Sequence, residues 1–295
     1  ALVKFYNAMR GVGVKPIVGA CIWVENPLEG DAPVRMTLLV KNSAGYLNLT
    51  ELISRAYTEG QKNGFAVVKR EWLQVSSQGL IALSGAKEGD IGQALVNGRL
   101  DLARERLEFW MSVFPDSFYL ELQRTHREND EECVHHSVAL AQEMNCPVVA
   151  TNDVQFLKQE DFDAHEARVC ISDGETIDDP RRIKKYSDQQ YLKSAEEMEA
   201  LFSDIPEAIT NTIEIAKRCS VEVRLGEYFL PNYPVPDGMT MDEFFRKLCF
   251  DGLEERLQII FADKEGPKPR QAYYDRLDFE LEIILQMGFP GYFLI

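Results

Sequence analysis

Short apolar runs alternating with stretches of helical period constrain this chain more than any other feature. Lys15–Val24 and Val34–Val40 are rich in apolar and β-branched residues and read as strands, with a charged, Pro- and Gly-containing loop between them. Tyr46–Ala56 places Leu47, Leu49, Leu52 and Ile53 on neighbouring faces of a helix. Gly79–Ser84 reads as a short buried strand that breaks at Gly85. A helix over about Leu100–Val113 leads into a strand at Ser117–Gln123, and a helix over about Glu131–Met144 feeds a strand that opens at Pro147. Strands separated by helices predict parallel βαβ units in a barrel or an open sheet. In such α/β folds chemistry gathers at the carboxyl ends of the strands, and Cys21, Ala86, Thr125 and Asp153 fall at or just beyond such ends.

Beyond about Ile171 the pattern changes. Ser194-Ala-Glu-Glu197 predicts a capping box opening one helix, and Asp204 is placed to N-cap the next. Leu225–Gly238 holds three prolines in a short span and is the strongest linker signal. Past it, Thr240-Met-Asp-Glu243 caps a helix with Met241, Phe244, Phe245, Leu248 and Leu253 inward. A final helix carries Tyr274, Leu277, Leu281, Ile284 and Leu285 at helical spacing. These stripes read as packing surfaces, and no internal repeat is visible.

Charge narrows the function classes. The 295 residues carry 48 acidic and 32 basic side chains, a formal charge of −16, which argues against wide contact with a phosphate backbone. The six cysteines (Cys21, Cys133, Cys146, Cys170, Cys219, Cys249) show no C-x-x-C and no secretory signal accompanies them, which suggests reduced thiols and a cytoplasmic protein. No apolar run reaches membrane-spanning length. The chain begins in an amphipathic stretch without an initiator Met and stops in an apolar run, so an excised piece is expected.

The candidate chemistry centres on Pro147-Val-Val-Ala-Thr-Asn-Asp153 followed by Asp161-Phe-Asp-Ala-His-Glu166. This reads as a buried strand, a polar loop and a helix opening on a D-x-H pair. Asp163 and His165 together can hold a hard or borderline divalent cation, but such a site needs three or more converging protein ligands. Other motifs give less. Cys133, His135 and His136 lack a partner cluster and read as a polar helix face. His165-Glu166 is not H-E-x-x-H, since Val169 stands at the second His position. Gly11-Val-Gly13 lacks the third glycine of a dinucleotide loop, and neither a P-loop nor G-x-S-x-G is present. The acidic runs Asp130-Glu-Glu132 and Glu196-Glu197 read as solvated helix starts.

Several segments carry a resemblance: Gly13–Ala20, Asn42-Ser-Ala-Gly-Tyr-Leu-Asn-Leu49, Leu83-Ser-Gly85, Tyr119-Leu-Glu-Leu122, Ala150-Thr-Asn-Asp153, Asp161-Phe-Asp-Ala-His165 and Phe289-Pro-Gly-Tyr-Phe-Leu-Ile295. In order, over nearly the whole chain, they resemble the alpha subunits of bacterial DNA polymerase III, the replicative C-family polymerases. The resemblance implies an α/β fold. Residues 1–232 would form a PHP (polymerase and histidinol phosphatase) domain, a distorted (β/α) barrel lacking its N-terminal strand or strands. Residues 233–295 would form an α-helical segment beginning the polymerase palm. It also implies that a histidine-rich motif and a T-D motif precede Ala1, and that the palm's catalytic aspartates follow Ile295. No catalytic residue is therefore expected within the chain.

Metal-active PHP relatives use His, Asp, Glu and Cys ligands, and the resemblance tests each position. Cys21 stands where such relatives have Glu, Ala86 where they have Cys, and Gln155 where many have His. Thr125 stands where they have His, and His126 is one residue out of phase, which on an extended chain turns a side chain to the opposite face. Only Asp163 and His165 match, as residual metal-ligand positions for Zn or Mg. The expectation is a metal-poor scaffold that supports the palm and docks a proofreading exonuclease subunit. Its parent would use Mg, act on primer-template DNA and join other replicase subunits. The alternative is a metal-dependent PHP phosphoesterase or proofreading nuclease.

Overall fold

The computed structural model describes residues 2–26, 32–62, 64–227, 232–262 and 268–295. The chain divides into two compact units, Ala1–Val223 and Arg224–Ile295. Residues 228–231 of the expected proline linker lie outside the described residues.

The first unit runs α1 (Leu2–Gly11), β1 (Gly19–Val24), β2 (Val34–Val40), α2 (Ser43–Thr58), β3 (Gln61–Lys62), β4 (Phe65–Val68), α3 (Arg70–Ser76) and β5 (Leu80–Leu83). It continues through α4 (Asp90–Val96), α5 (Leu100–Val113), β6 (Phe118–Gln123), α6 (Asp130–Met144), β7 (Val148–Thr151), α7 (Phe162–Asp173), α8 (Ala195–Leu201) and α9 (Pro206–Arg218). The strands form one sheet in the order β3-β4-β1-β2-β5-β6-β7. β1/β4, β5/β6 and β6/β7 are parallel, as βαβ units require. β2 departs from that expectation and runs antiparallel to both β1 and β5. The short β1–β2 connection cannot hold a crossover helix, so the chain turns back on itself. The β3–β4 hairpin gives no apolar alternation at Gln61–Lys62 and escapes a reading based on periodicity.

Alternation along the strands gives the sheet two distinct faces. Ile22, Val24, Val34, Met36, Leu38 and Val40 point to one side, into the main core with Leu52 of α2, Leu73 of α3, and Leu107 and Trp110 of α5. Truncating the fully buried Trp110 to Ala would cost about 3–5 kcal/mol. The other face is apolar at one end, where Leu39, Ile81, Leu83, Tyr119 and Val149 pack with Ile215 and Cys219 from the α9 region. Towards the carboxyl ends of β5, β6 and β7 the same face becomes polar.

The Asn42-Ser-Ala-Gly45 motif has a local cause. The Asn42 side chain caps α2 by accepting from Gly45 N at 3.1 Å. A Cβ on Gly45 would lie 1.9 Å from the Gly79 carbonyl oxygen, so only glycine permits this approach of α2 to the lead-in of β5. The Ser194 capping box forms as expected. Asp204 does not cap α9: its two carboxylate oxygens accept from Arg124 at 2.6 and 2.8 Å, and Pro206 opens the helix instead. Arg124's planar fork takes the carboxylate that the sequence pattern assigns to the helix end.

The second unit comprises α10 (Met241–Ile260), α11 (Arg270–Gln286) and α12 (Pro290–Leu294). Thr240 and Glu243 form the capping box on α10. Phe245, Leu257 and Leu281 are buried, whereas Leu248, expected inward, is 40% exposed.

Candidate functional site

At the carboxyl ends of β5, β6 and β7, the polar face of the sheet gathers a ring of charges. The chain direction of β2 decides its membership. Because β2 is antiparallel, its first residues lie beside the last residues of β1, and Arg35 pairs in register with Trp23. Arg35 therefore projects where strand-end chemistry collects. Its Nη1 donates to Glu88 Oε2 at 2.7 Å and its Nη2 to Asp153 Oδ1 at 3.0 Å, with Cys21 Sγ 3.7 Å from Nη2. Arg127 approaches from beyond β6. Its Nη1 donates to Glu88 Oε1 at 2.8 Å and its Nε to Thr125 Oγ1 at 2.8 Å, and its Nη2 lies 3.6 Å from Asp153 Oδ2. Glu88 and Asp153 thus each bridge the same two guanidinium groups.

The surroundings fasten this ring. Asp153 Oδ2 also accepts from Gln190 Nε2 at 2.9 Å, and Asp153 sits at φ +42°, a left-handed conformation unusual for a residue with a side chain. Glu121 lies beneath the ring on β6. Its carboxylate accepts from Gly85 N at 3.0 Å, Gln123 Nε2 at 3.1 Å and Thr151 Oγ1 at 2.6 Å. Gly85 adopts φ +79°, and a Cβ there would lie 2.2 Å from the Arg35 carbonyl oxygen. The L-S-G motif is therefore the backbone turn that aims an N–H at Glu121. To one side, Asp130 Oδ2 accepts from Thr125 N and Oγ1 at 2.9 and 2.7 Å, and Lys87 Nζ is 2.7 Å from Asp130 Oδ1.

Titration follows from these contacts. Burial opposes ionisation of Glu88, but Arg35 and then Arg127 outweigh it and hold the carboxyl below its ordinary range. Burial likewise disfavours charged Arg35, yet Glu88 and Asp153 keep its pKa above the ordinary value. Asp130 is held low against burial by Lys87 and Thr125. Glu121 goes the other way: burial raises its pKa and the three donors only moderate the rise.

These residues do not suit a divalent cation. Two guanidinium groups already supply the positive charge between Glu88 and Asp153 and occupy the carboxylate oxygens a metal would need. A cation entering beside Cys21 would meet Arg35 head-on. Ala86 offers no donor, and Thr125 is fully buried with its hydroxyl directed at Asp130.

Asp163 and His165 lie on α7, outside this ring, and the helix does not bring them together. Asp163 is exposed and His165 is 7% exposed, as expected for positions two apart on a 3.6-residue period. The His165 ring sits between Phe156 (5.4 Å between centroids) and the edge of Tyr186 (4.8 Å). Its Nδ1 is 3.4 Å from Arg168 Nη2, and its Nε2 has no hydrogen-bond partner among the described residues. Burial and then the Arg168 charge lower its pKa. Gln155 turns its amide to Asp153 at 3.2 Å, while His126 is exposed. Among the described residues no group of three or more His, Cys, Asp or Glu side chains is placed to hold a metal ion.

Sequence reading singles out Cys21, Ala86, Thr125 and Asp153 but passes over Arg35, Glu88, Glu121 and Arg127. The available signal was a lone charge inside an apolar strand: Arg35 in Val34-Arg-Met-Thr-Leu-Leu-Val40 and Glu121 in Phe118-Tyr-Leu-Glu-Leu-Gln123. A charge there needs a buried partner.

Comparison with known proteins agrees with this architecture. The PHP domain family matches residues 1–125, and the family described as bacterial DNA polymerase III alpha NTPase domain matches residues 243–295. The chain is 59% identical over 299 residues to DNA polymerase III subunit alpha of Pseudomonas fluorescens, covering all of this chain and 25% of that protein. It is 52% identical over 295 residues to the subunit of the same name from Escherichia coli K12 and 50% identical to that from Vibrio cholerae, again covering all of this chain and 25% of each relative. The chain spans about a quarter of the length of the curated relatives it matches. Among the described residues no helix is long and apolar enough to cross a membrane. The mixed α/β sheet with its strand-end ring is a PHP-type distorted barrel followed by a helical segment, and the chain is similar over its whole length to bacterial DNA polymerase III alpha subunits, across the quarter of their length that it spans.

Proposed function

We propose that this chain serves as the PHP scaffold of a replicative DNA polymerase, with residues from about 233 onward beginning the palm. The carrying observation is the ring of Arg35, Glu88, Arg127 and Asp153. A closed set of ion pairs over a buried carboxylate stiffens the strand ends, and it places guanidinium groups where a hydrolytic metal cluster would need open coordination positions. The parent polymerase would extend a primer by two-metal phosphoryl transfer with Mg held by palm aspartates, and the scaffold would steady the palm and dock a separate proofreading exonuclease. In this reading Asp163 and His165 are remnants of a ligand set and hold no Zn or Mg.

Two measurements test the reading. The chain should incorporate no nucleotide on a primed template. It should also carry less than one equivalent of Zn, Mn, Fe or Mg after extensive dialysis. Two or more tightly held ions would overturn the scaffold reading in favour of a metal-dependent phosphoesterase or nuclease. A pull-down with the exonuclease subunit that recovers nothing would remove the docking role.

A further inference from the structure

The opposite end of the same sheet carries a second cluster, with different chemistry. Lys41 follows β2, Ser117 precedes β6 and Arg218 ends α9. Lys41 Nζ and Arg218 Nη2 both donate to the one hydroxyl of Ser117, each at 2.9 Å. Arg218 also donates to the Asp116 carbonyl oxygen at 2.7 Å and to Tyr119 Oη at 2.8 Å. Lys15 Nζ reaches the Ala216 carbonyl oxygen at 2.7 Å and Ser220 Oγ at 3.0 Å, and Ser220 N donates to the Lys41 carbonyl oxygen at 2.9 Å.

Every acceptor named here is neutral. Among the described residues no carboxylate lies within ion-pair distance of Lys15, Lys41 or Arg218, in a chain of net charge −16. Elsewhere in this unit Arg35, Arg70, Arg124, Arg127 and Arg182 each contact a carboxylate. The negative end of α9 accounts for Lys15, which caps its last carbonyls. It does not account for Lys41, whose ammonium shares a hydroxyl with another cation. Burial, and then the charge of Arg218, hold the Lys41 pKa below its ordinary value, while Asp116 acts on it only from a distance.

Ser117 supplies the other half of the argument. It is 3% exposed, and its hydroxyl accepts from both cations, so its own hydrogen remains to be donated. Two cations that keep N–H groups beyond these contacts and one hydroxyl donor meet at Ser117, with no carboxylate of the described residues in ion-pair distance of either cation. We propose that Lys41, Arg218 and Ser117 bind a tetrahedral oxyanion of the phosphate class, with Lys15 adding charge from the side. The ligand is free inorganic phosphate or the terminal phosphate of a nucleic acid; both present the same oxygens.

Calorimetric titration of the full chain with inorganic phosphate at low ionic strength tests this. Saturable binding of one phosphate is expected, weakened about tenfold or more by Lys41→Gln and by Arg218→Gln, since each removes a charge-assisted hydrogen bond. Lys184→Gln makes the same charge change on an exposed loop and should leave affinity unchanged. Lys41→Arg should retain binding, which guards against reading a misfolded variant as a lost site. Non-saturable binding, or equal affinity in the parent and the Lys41→Gln/Arg218→Gln double variant, would overturn the proposal. Competition by a 5′-phosphorylated deoxythymidine oligomer, but not by its unphosphorylated counterpart, would assign the site to a nucleic-acid end. Failure of both to compete would assign it to free phosphate.

Discussion

At the carboxyl ends of β5, β6 and β7, Arg35 and Arg127 each reach Glu88 and Asp153; at the far end, Lys41 and Arg218 share only the hydroxyl of Ser117. Both clusters are partly withdrawn from water, and both lie along one sheet. The first is closed, because every cation has an anion supplied by the fold. The second is open, because its cations are held in place without one among the described residues. Breaking a closed buried pair leaves a charge with nothing to answer it, whereas an open cluster loses repulsion when a member is removed. The same residue types therefore serve structure at one end and, in the reading advanced above, binding at the other.

The largest expected effect comes from opening the closed ring. Arg35→Leu removes the cation from Glu88 Oε2 and Asp153 Oδ1 and leaves Asp153 Oδ1 only the neutral Gln155 amide, and Asp153 is 5% exposed at its side chain. It should cost about 3–5 kcal/mol in urea unfolding. A cost below about 1 kcal/mol would show that the ring is incidental to the fold. A double-variant cycle with Asp153→Asn separates the pair from the rest of the network.

Acid sharpens the same contrast within the ring itself. Glu88 has a lowered pKa in the fold, so its contribution to stability is full above the ordinary carboxyl range and is lost as pH falls through its folded value. Glu121 has a raised pKa, so its contribution is full at low pH and is lost as pH rises through its folded value. Glu88→Gln should flatten the acid side of the stability profile. Glu121→Gln should stabilise the protein at neutral pH, with the gain vanishing on acidification. Parallel pH profiles for the two variants would refute the assignment of opposite environments.

Much of this is legible in the amino-acid sequence. Leu100–Val113 is a helix over the expected range because its apolar residues recur at helical spacing. The Ser194 and Thr240 capping boxes close as the spacing requires. The direction of β2 was not legible, because periodicity reports which face a strand buries and is silent about which way it runs. That one fact moves Arg35 to the strand-end site. Asp163 and His165 stand two apart on α7, a spacing that already separates their faces, but which of the two is buried emerges only once Phe156 and Tyr186 enclose the imidazole. Asp204 shows the complementary failure, in which a sound local cap is overridden by a distant guanidinium.

The smallest effect is the most discriminating. Lys41→Met removes a half-buried ammonium whose one hydrogen-bond partner among the described residues is Ser117 and whose largest charge interaction is with the like charge of Arg218. Without phosphate, stability should change by no more than about 0.5 kcal/mol, because the lost hydrogen bond and the relieved repulsion oppose each other. The parent's denaturation midpoint should rise on adding phosphate beyond the rise given by chloride at equal ionic strength, and the variant's should not, since only the parent gains from linkage to a bound anion. If the variant instead loses as much stability as Arg35→Leu, Lys41 belongs to a closed network after all, and the distinction between the two ends of the sheet collapses.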